Sequence, residues 1–299
     1  MQVIDKTVLT FSKENAPVCN ADPGEVLLFN TQDCFGGQFN SEKQLVLELD
    51  LSKANPATGP VFINGAEKGD VLAVDILDIK VKDVGFACTI PGMGPLSHKT
   101  EVRTRMFTVK EKIAYYNDIK WHIDPMIGVI GTAPAEDAVA CGLSGDHGGN
   151  IDSKLITKGA RVYLPVRVPG ALLQMGDLHA TMGDGEACGT GIEIAGEVLV
   201  RVSLIKNVPL NWPLTETTDG WYINTTSASY EDSLRLASEE LARLACAAYG
   251  WDITDFAIYL SVQGDAGLNQ ATMPVMPGIS PMLNVRVGIP KLADKPRLI

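Results

Sequence analysis

The sequence predicts a mainly β protein: a β-rich sandwich or barrel over residues 1–205, and a smaller α+β portion over 206–299. Three observations carry this. Short runs rich in β-branched residues, or alternating in polarity, recur through the first 210 residues. Turn-forming pairs punctuate them at Pro23-Gly24, Gly59-Pro60, Asn64-Gly65, Pro91-Gly92 and Pro169-Gly170. A clear helical period appears only in the last 90 residues.

Taken in order, Val26–Phe29, Gln44–Leu51, Val71–Val81, Arg161–Val168, Gly170–Leu178 and Val198–Ile205 read as strands. Their spacing suits a sandwich or barrel rather than a βαβ alternation. Ser229 can cap a helix whose first turn holds Asp232, an acid favoured at the positive end of the helix dipole. Leu234, Ala237, Leu241, Leu244, Ala245 and Ala248 then recur on one face, and Gly250 ends the run. A second helix starts near Asp252 and would bury Ile253, Phe256, Ala257 and Leu260. The chain closes with the alternation Leu283, Val285, Val287, Ile289, a half-buried strand by pattern.

The 299 residues are 45% hydrophobic and 20% charged, the proportions of an ordinary globular protein. A net charge of −11 leaves no basic surplus for phosphates, so a nucleic-acid partner is excluded and a small molecule expected. No apolar run has the length to span a bilayer, and the first residues lack a signal-peptide pattern. The six cysteines (Cys19, Cys34, Cys88, Cys141, Cys188 and Cys246) contain no Cys-x-x-Cys pair. That spacing suits neither a zinc ribbon nor a disulfide framework, and a cytoplasmic location is expected.

Chemistry concentrates in two segments, GDHGGNID at 145–152 and GDLHATMGDGE at 176–186. Together they hold His147, His179 and five carboxylates (Asp146, Asp152, Asp177, Asp184 and Glu186) with no Lys or Arg among them. Buried carboxylates without a counter-charge are very unfavourable, and a divalent cation answers that problem. Fourteen of the 29 glycines fall between Gly128 and Gly196, as tight loops that aim short side chains at one point require. Asp177 and His179 share one face of their strand, and beyond the turn Met182–Gly185 the carboxylate of Glu186 can return toward His179. Asp33, in NTQDCFGGQ at 30–38, forms a third acid-and-glycine cluster. Mixed imidazole and carboxylate ligands suit Zn²⁺, and oxygen-rich neighbours suit an additional Ca²⁺ or Mg²⁺. His98 and His122, beside Lys99 and Lys120, read as surface residues. There is no G-x-S-x-G elbow, P-loop or G-x-G-x-x-G. Cys34 and Cys188 lie near the acidic loops, but a reactive thiolate needs positive surroundings.

NTQDCFGGQ at 30–38, SGDHGGNID at 144–152 and VPGALLQMGDLHATMGDGEACGTGIE at 168–193 together resemble the acetamidase/formamidase family. The likeness runs in order across most of the chain, and at this length it is similar to the shorter bacterial members. It implies hydrolysis of the C–N bond of small aliphatic carboxamides, of the formamide or acetamide kind, to a carboxylate and ammonia. It also implies a β-sandwich or jelly-roll portion joined to an α+β portion, and a homo-oligomer. On this basis His147, His179 and carboxylates from Asp33, Asp146 and Glu186 would hold the metal. Asp184 or Glu186 would move the proton, and Asn150 and Gln38 would hydrogen-bond the amide. A small, closed pocket and a high KM are expected for so small a substrate. Two other readings remain open at this level: a cysteine-nucleophile amidase, and a metal-stabilised protein that binds small amides without cleaving them.

Overall fold

A computed structural model describes residues 1–271 and 282–299. Two large sheets face each other. One has nine strands, in the spatial order Gln2–Ile4, Val26–Thr31, Gly196–Ile205, Val71–Val81, Arg161–Pro165, Leu214–Glu216, Gly220–Ser227, Leu283–Pro290 and Asp265–Leu268. The second has twelve, and its centre is formed by Met126–Gly131, Leu173–His179, Glu193–Ile194 and Ala57–Ile63. Nearly all neighbours are antiparallel, so each strand presents alternate residues to opposite faces. Leu72, Val74 and Ile76 on one sheet meet Ile127, Leu173 and Leu178 on the other in the largest apolar cluster. The intervening residues Val71 and Ala73 point the opposite way, into a second cluster. The mainly β, sandwich-like architecture read from the sequence is therefore the architecture of the molecule.

Two helices cover that other face. Helix α1, Tyr230–Tyr249, begins where the Ser229 hydroxyl accepts the Asp232 N–H and ends at Gly250, which takes left-handed geometry at φ 70°. Its Ala237, Leu241, Leu244 and Ala245 pack on Trp221, Ile223, Val285 and Val287. Helix α2, Ile253–Gln263, starts at Asp252, whose carboxylate accepts from Thr254 and Asp255. The nine-stranded sheet continues across residue 205, with four of its strands from the later segment. The second apolar cluster draws chiefly on residues beyond 205, together with Val71, Ala73 and Tyr163.

Four local readings are corrected. Gln44–Leu51 is not a strand but falls into single 3₁₀ turns at Val46–Glu48 and Leu51–Lys53. There Glu48 accepts the Leu45 N–H at 3.0 Å and Asp50 accepts the Ser52 N–H at 3.2 Å, local bonds that compete with a ladder. The strand from Arg161 stops at Pro165, which has no N–H to extend the pairing. In α2 only Phe256 of the four expected residues is buried, and Ile253 is 62% exposed. The last strand is buried on both faces rather than half-buried, because its polar residues Asn284 and Arg286 point into a polar interior.

Replacing Asp252 with Ala should lower stability by about 1 kcal/mol through loss of the α2 cap. Urea unfolding followed by far-ultraviolet circular dichroism measures this, and an unchanged midpoint would contradict the capping role.

Candidate active site

The site is built on a row of cross-strand neighbours. His179, at the end of Leu173–His179, pairs with Met126 on one side and Glu193 on the other. Its Nδ1 lies 2.8 Å from the Met126 sulfur, and its Nε2 lies 2.9 Å from Glu193 Oε1. Two more carboxylates close on the same nitrogen, Glu186 at 3.6 Å and Asp177 at 3.7 Å. Asp152 joins them: one ligand atom each from Asp152, His179 and Glu186 fall within 4.8 Å of one another. Cys34, Asp177 and Glu193 form a second such group. All six residues are buried.

The backbone is bent to bring these groups together. Asp152, Asp177 and Glu186 each adopt positive φ, at 48°, 54° and 46°. Such geometry costs roughly 1–2 kcal/mol for a residue with a side chain, and it clusters at functional sites. Gly128 makes the room: a Cβ there would stand 2.5 Å from Asp152 Oδ1 and 2.9 Å from Asp177 Oδ2. Partners from distant segments complete the pocket wall. Gln270 donates to Asp152 at 3.1 Å and to Glu186 at 2.9 Å, and Asn55 donates to Asp177 at 3.1 Å. The last strand locks the assembly, with Asn284 donating to the Asn150 carbonyl oxygen and Arg286 gripping Asp184.

The electrostatics are lopsided. Among the described residues no Lys or Arg pairs with Asp152, Asp177 or Glu193. Burial pushes the Asp152 carboxyl up to about 7, with Glu193 adding to the rise and His179 opposing it. Burial and neighbouring acids hold Asp177 and Glu186 well above the carboxylate range. Burial works against the charged form of His179, but Glu193, Asp177 and Glu186 outweigh it and raise its pKa well above normal.

These residues fit a divalent cation. Among the described residues, the buried atoms Asp152 Oδ1, Asp177 Oδ1, Glu193 Oε2, Gln270 Oε1 and His179 Nε2 find no hydrogen-bond partner of good geometry. With Nδ1 donating to the Met126 sulfur, Nε2 would present its lone pair toward the carboxylate oxygens. One histidine with several carboxylates, and a thiol alongside, is a donor set suited to zinc.

The sequence-derived candidates divide. His179 and Glu186 meet in the cluster. Asp33 is half-buried and caps its own turn, accepting from Phe35 at 3.0 Å and Gly37 at 3.1 Å. Its pKa is raised by burial and by Glu193, against the pull of those N–H groups. His147 is buried elsewhere, edge-on to Phe11 at 5.1 Å, and burial takes its pKa down to about 4. It belongs to neither group of converging ligand atoms. Asp146 faces outward and pairs with Arg167 at 2.9 Å. Asp184 pairs with Arg286 at 2.8 Å and Lys154 at 2.9 Å. Although burial opposes it, these cations hold its pKa below the usual range. Gln38 spends its amide on its own loop, donating to the Phe35 carbonyl and accepting from Asp50. Asn150 is buried beside the cluster, its Oδ1 accepting from Asn55 at 3.4 Å. Burial, Glu193, Asp177 and Asp33 push the Cys34 thiol well above its normal range, the opposite of what a nucleophile needs. His98 and His122 are exposed, as read.

Asp152, Asp177, Glu193 and Gln270 were not among the expected ligands or catalytic groups, and Cys34 was considered only as a nucleophile. Asp152 and Asp177 lie inside the two acidic segments, so their signal was visible. Glu193 and Gln270 reach the site only through strand register and the packing of the last strand.

Over residues 11–143 and 139–236 the sequence matches the model of the Acetamidase/Formamidase family. The chain belongs to this family. Its fold is similar to that of an acetamidase from Bacillus halodurans, with TM-score 0.91 and 35% identity over 96% of this chain and 97% of that one. It is equally similar to a predicted acetamidase/formamidase from Thermoanaerobacter tengcongensis, with TM-score 0.92 and 36% identity over 97% and 95% of the two chains. In sequence it is 30% identical to the formamidase of Methylophilus methylotrophus over 247 residues, 62% of this chain and 60% of that protein. The chain spans about three fifths of the length of the curated relatives it matches.

Two outcomes follow from the packing and charge of the cluster. Gly128→Ala should weaken zinc binding at least tenfold while leaving the β-sheet circular dichroism unchanged, because the new methyl displaces Asp152 and Asp177; unaltered affinity by competitive chelator titration would contradict it. In metal-stripped protein, Asp152, Asp177 and Glu186 keep protons that the unfolded chain releases near pH 4. Their contribution to stability is complete below about pH 4 and is lost as pH rises, for Asp152 through about 7, and His179 adds to the loss above about 6.5. His147 acts in the opposite sense between about pH 4 and 6.5, one group against three. The melting temperature of stripped protein should therefore fall between about pH 5 and 8, and zinc should abolish the fall. A flat profile without metal would contradict the assignment.

Proposed function

We propose that the chain is a metal-dependent amidohydrolase that cleaves the C–N bond of small aliphatic carboxamides, releasing a carboxylate and ammonia. One observation carries this reading: a buried, strained cluster of four carboxylates around His179 Nε2, on the fold of a family whose named members are acetamidases and formamidases. His179, Asp152 and Glu186 would hold the ion, zinc by the chemistry of the donors, with Asp177, Glu193 and Cys34 alongside. When bound, the ion supplies Lewis acidity toward the amide carbonyl and toward water.

The chain's own groups account for the rest of the chemistry. Hydrolysis forms one C–O bond, breaks the C–N bond and moves a proton from water to the departing nitrogen, which leaves poorly as an anion. A proton carrier must therefore exchange its proton near neutrality and face the substrate. We assign this role to Glu186, which lines a cavity of about 330 Å³ beside the cluster and so can face the substrate. Asp184, of the same turn, is held charged by Arg286 and Lys154, so we assign it to positioning that turn. Gln270 orients the Glu186 carboxyl by donating to Oε2. Asn150, buried beside the cluster, is kept as the proposed partner of the amide, whereas Gln38 supports the loop that carries Asp33 and Cys34. The cavity is roomier than the small, closed pocket expected from the sequence.

A cysteine nucleophile is disfavoured by the raised pKa of Cys34. Among the described residues no helix is long and apolar enough to cross a membrane. We infer a homo-oligomer in the cytoplasm on the family likeness and the cysteine pattern alone.

Ammonia release from formamide and acetamide tests the reading. Chelator-stripped protein should lose at least about a hundredfold in rate and recover with Zn²⁺; full activity after stripping would contradict it. Glu186→Gln should lower kcat by about 10²-fold or more with a smaller change in KM, in line with loss of a proton carrier. A tight amide complex with no ammonia released would favour a binding protein instead.

A further inference from the structure

The cavity beside Glu186 lies between the loop that follows the strand Val84–Cys88 and the turn that follows His179. Met93, Leu96, Thr100, Ala187 and Thr190 line it, with Glu186 and Asp184 on one side. Its volume of about 330 Å³ falls within the roughly 300–1,000 Å³ range of sites that hold small organic ligands. Water occupies roughly 30 Å³ per molecule in the liquid, so acetamide would leave most of this space wet. Among the described residues the lining supplies thioether, aliphatic and threonine surface but no Lys or Arg, and Asp184 is paired with Lys154 and Arg286.

The walls are interlocked. A Cβ at Gly94 would stand 1.8 Å from the Ala187 carbonyl oxygen, so the two loops are in backbone contact. The Ile90 N–H also donates to the Cys188 carbonyl, and the Met93 N–H turns back to the Ile90 carbonyl. Two loops pinned to each other make a preformed cavity, with the carboxyl of Glu186 at its edge and an apolar bay running away from it.

Resting on the amidase reading above, we propose that this bay is an acyl-chain subsite. The preferred substrates are unbranched primary amides of about four to six carbons, whose carboxamide sits at Glu186 and whose alkyl tail lies against Met93, Leu96 and Ala187. The reaction stays balanced as R–CO–NH₂ plus water to R–COO⁻ plus ammonium, with the C–N bond broken and one C–O bond formed. Burial of each added methylene is worth about fourfold in kcat/KM. Ala187, exposed at the rim, and Leu96, 61% exposed, set the length that fits.

The test compares acetamide, butanamide and hexanamide on the metal-replete full chain, by ammonia release and by calorimetric binding of hexanamide. The wild type should gain about fourfold in kcat/KM per methylene up to hexanamide. Ala187→Phe should erase that gain, weaken hexanamide binding in parallel and leave acetamide turnover within about threefold. Leu96→Asp gives the same reading at an exposed position if Ala187→Phe fails to fold. A flat or falling series with acetamide turnover intact overturns the subsite and leaves the amidase reading standing. Hexanamide binding that Ala187→Phe blocks, with no ammonia from any amide, supports the bay and overturns the amidase reading. Neither binding nor turnover overturns both.

Discussion

Four carboxyl groups converge around one imidazole, and among the described residues no Lys or Arg pairs with Asp152, Asp177 or Glu193; much of the surrounding structure serves that convergence. Two like charges 4 Å apart repel by about 4 kcal/mol at an effective dielectric of 20, and burial adds the loss of hydration. Left alone, the acids escape by holding protons, which is the meaning of the raised pKa values of Asp152, Asp177 and Glu186. A divalent cation reverses the balance by favouring the charged forms. The orphaned oxygens, left-handed acidic residues and missing side chain at Gly128 are three aspects of the same demand.

The fold meets that demand with rigid elements. Met126, His179 and Glu193 occupy one row of three adjacent strands, so strand register sets the spacing of the central ligands. The sheet carrying them is backed by the nine-stranded sheet and, beyond it, by α1. The last strand contributes from the far end of the chain: its apolar residues Val285, Val287 and Ile289 face α1, while Asn284 and Arg286 reach the site loops. A strand buried on both faces thus joins the helical layer to the polar interior that holds Gln270 and Asp184.

Much of this was legible in the sequence, for definite reasons. Val71–Val81 was read to the residue, because a long β-branched strand bounded by turns has few alternatives, and Ser229 and Gly250 marked both ends of α1. His179 and Glu186, linked in the sequence by their spacing about a glycine turn, come within 3.6 Å of each other. Asp146 and His147 do not join the cluster, because neighbours in sequence on a glycine loop need not point to one place: Asp146 pairs with Arg167 and His147 packs on Phe11. Asp184 carries the same kind of signal as Glu186 two residues on, yet Lys154 and Arg286 claim it, and neither cation lies in its segment. Glu193 and Gln270 depended on pairing between strands far apart in sequence, which residue periodicity cannot reveal. Gln44–Leu51 failed as a strand because local carboxylate-to-backbone bonds satisfied the chain first.

The central claim is that this cluster is a cation site. Anomalous X-ray scattering at the zinc edge, from crystals of the full chain grown with Zn²⁺, addresses it most directly. The account predicts a strong peak within bonding distance of His179 Nε2 and of carboxylate oxygens from Asp152 and Glu186. A cluster that stays free of metal at saturating zinc, or a peak confined to His147 and Asp146, would contradict it.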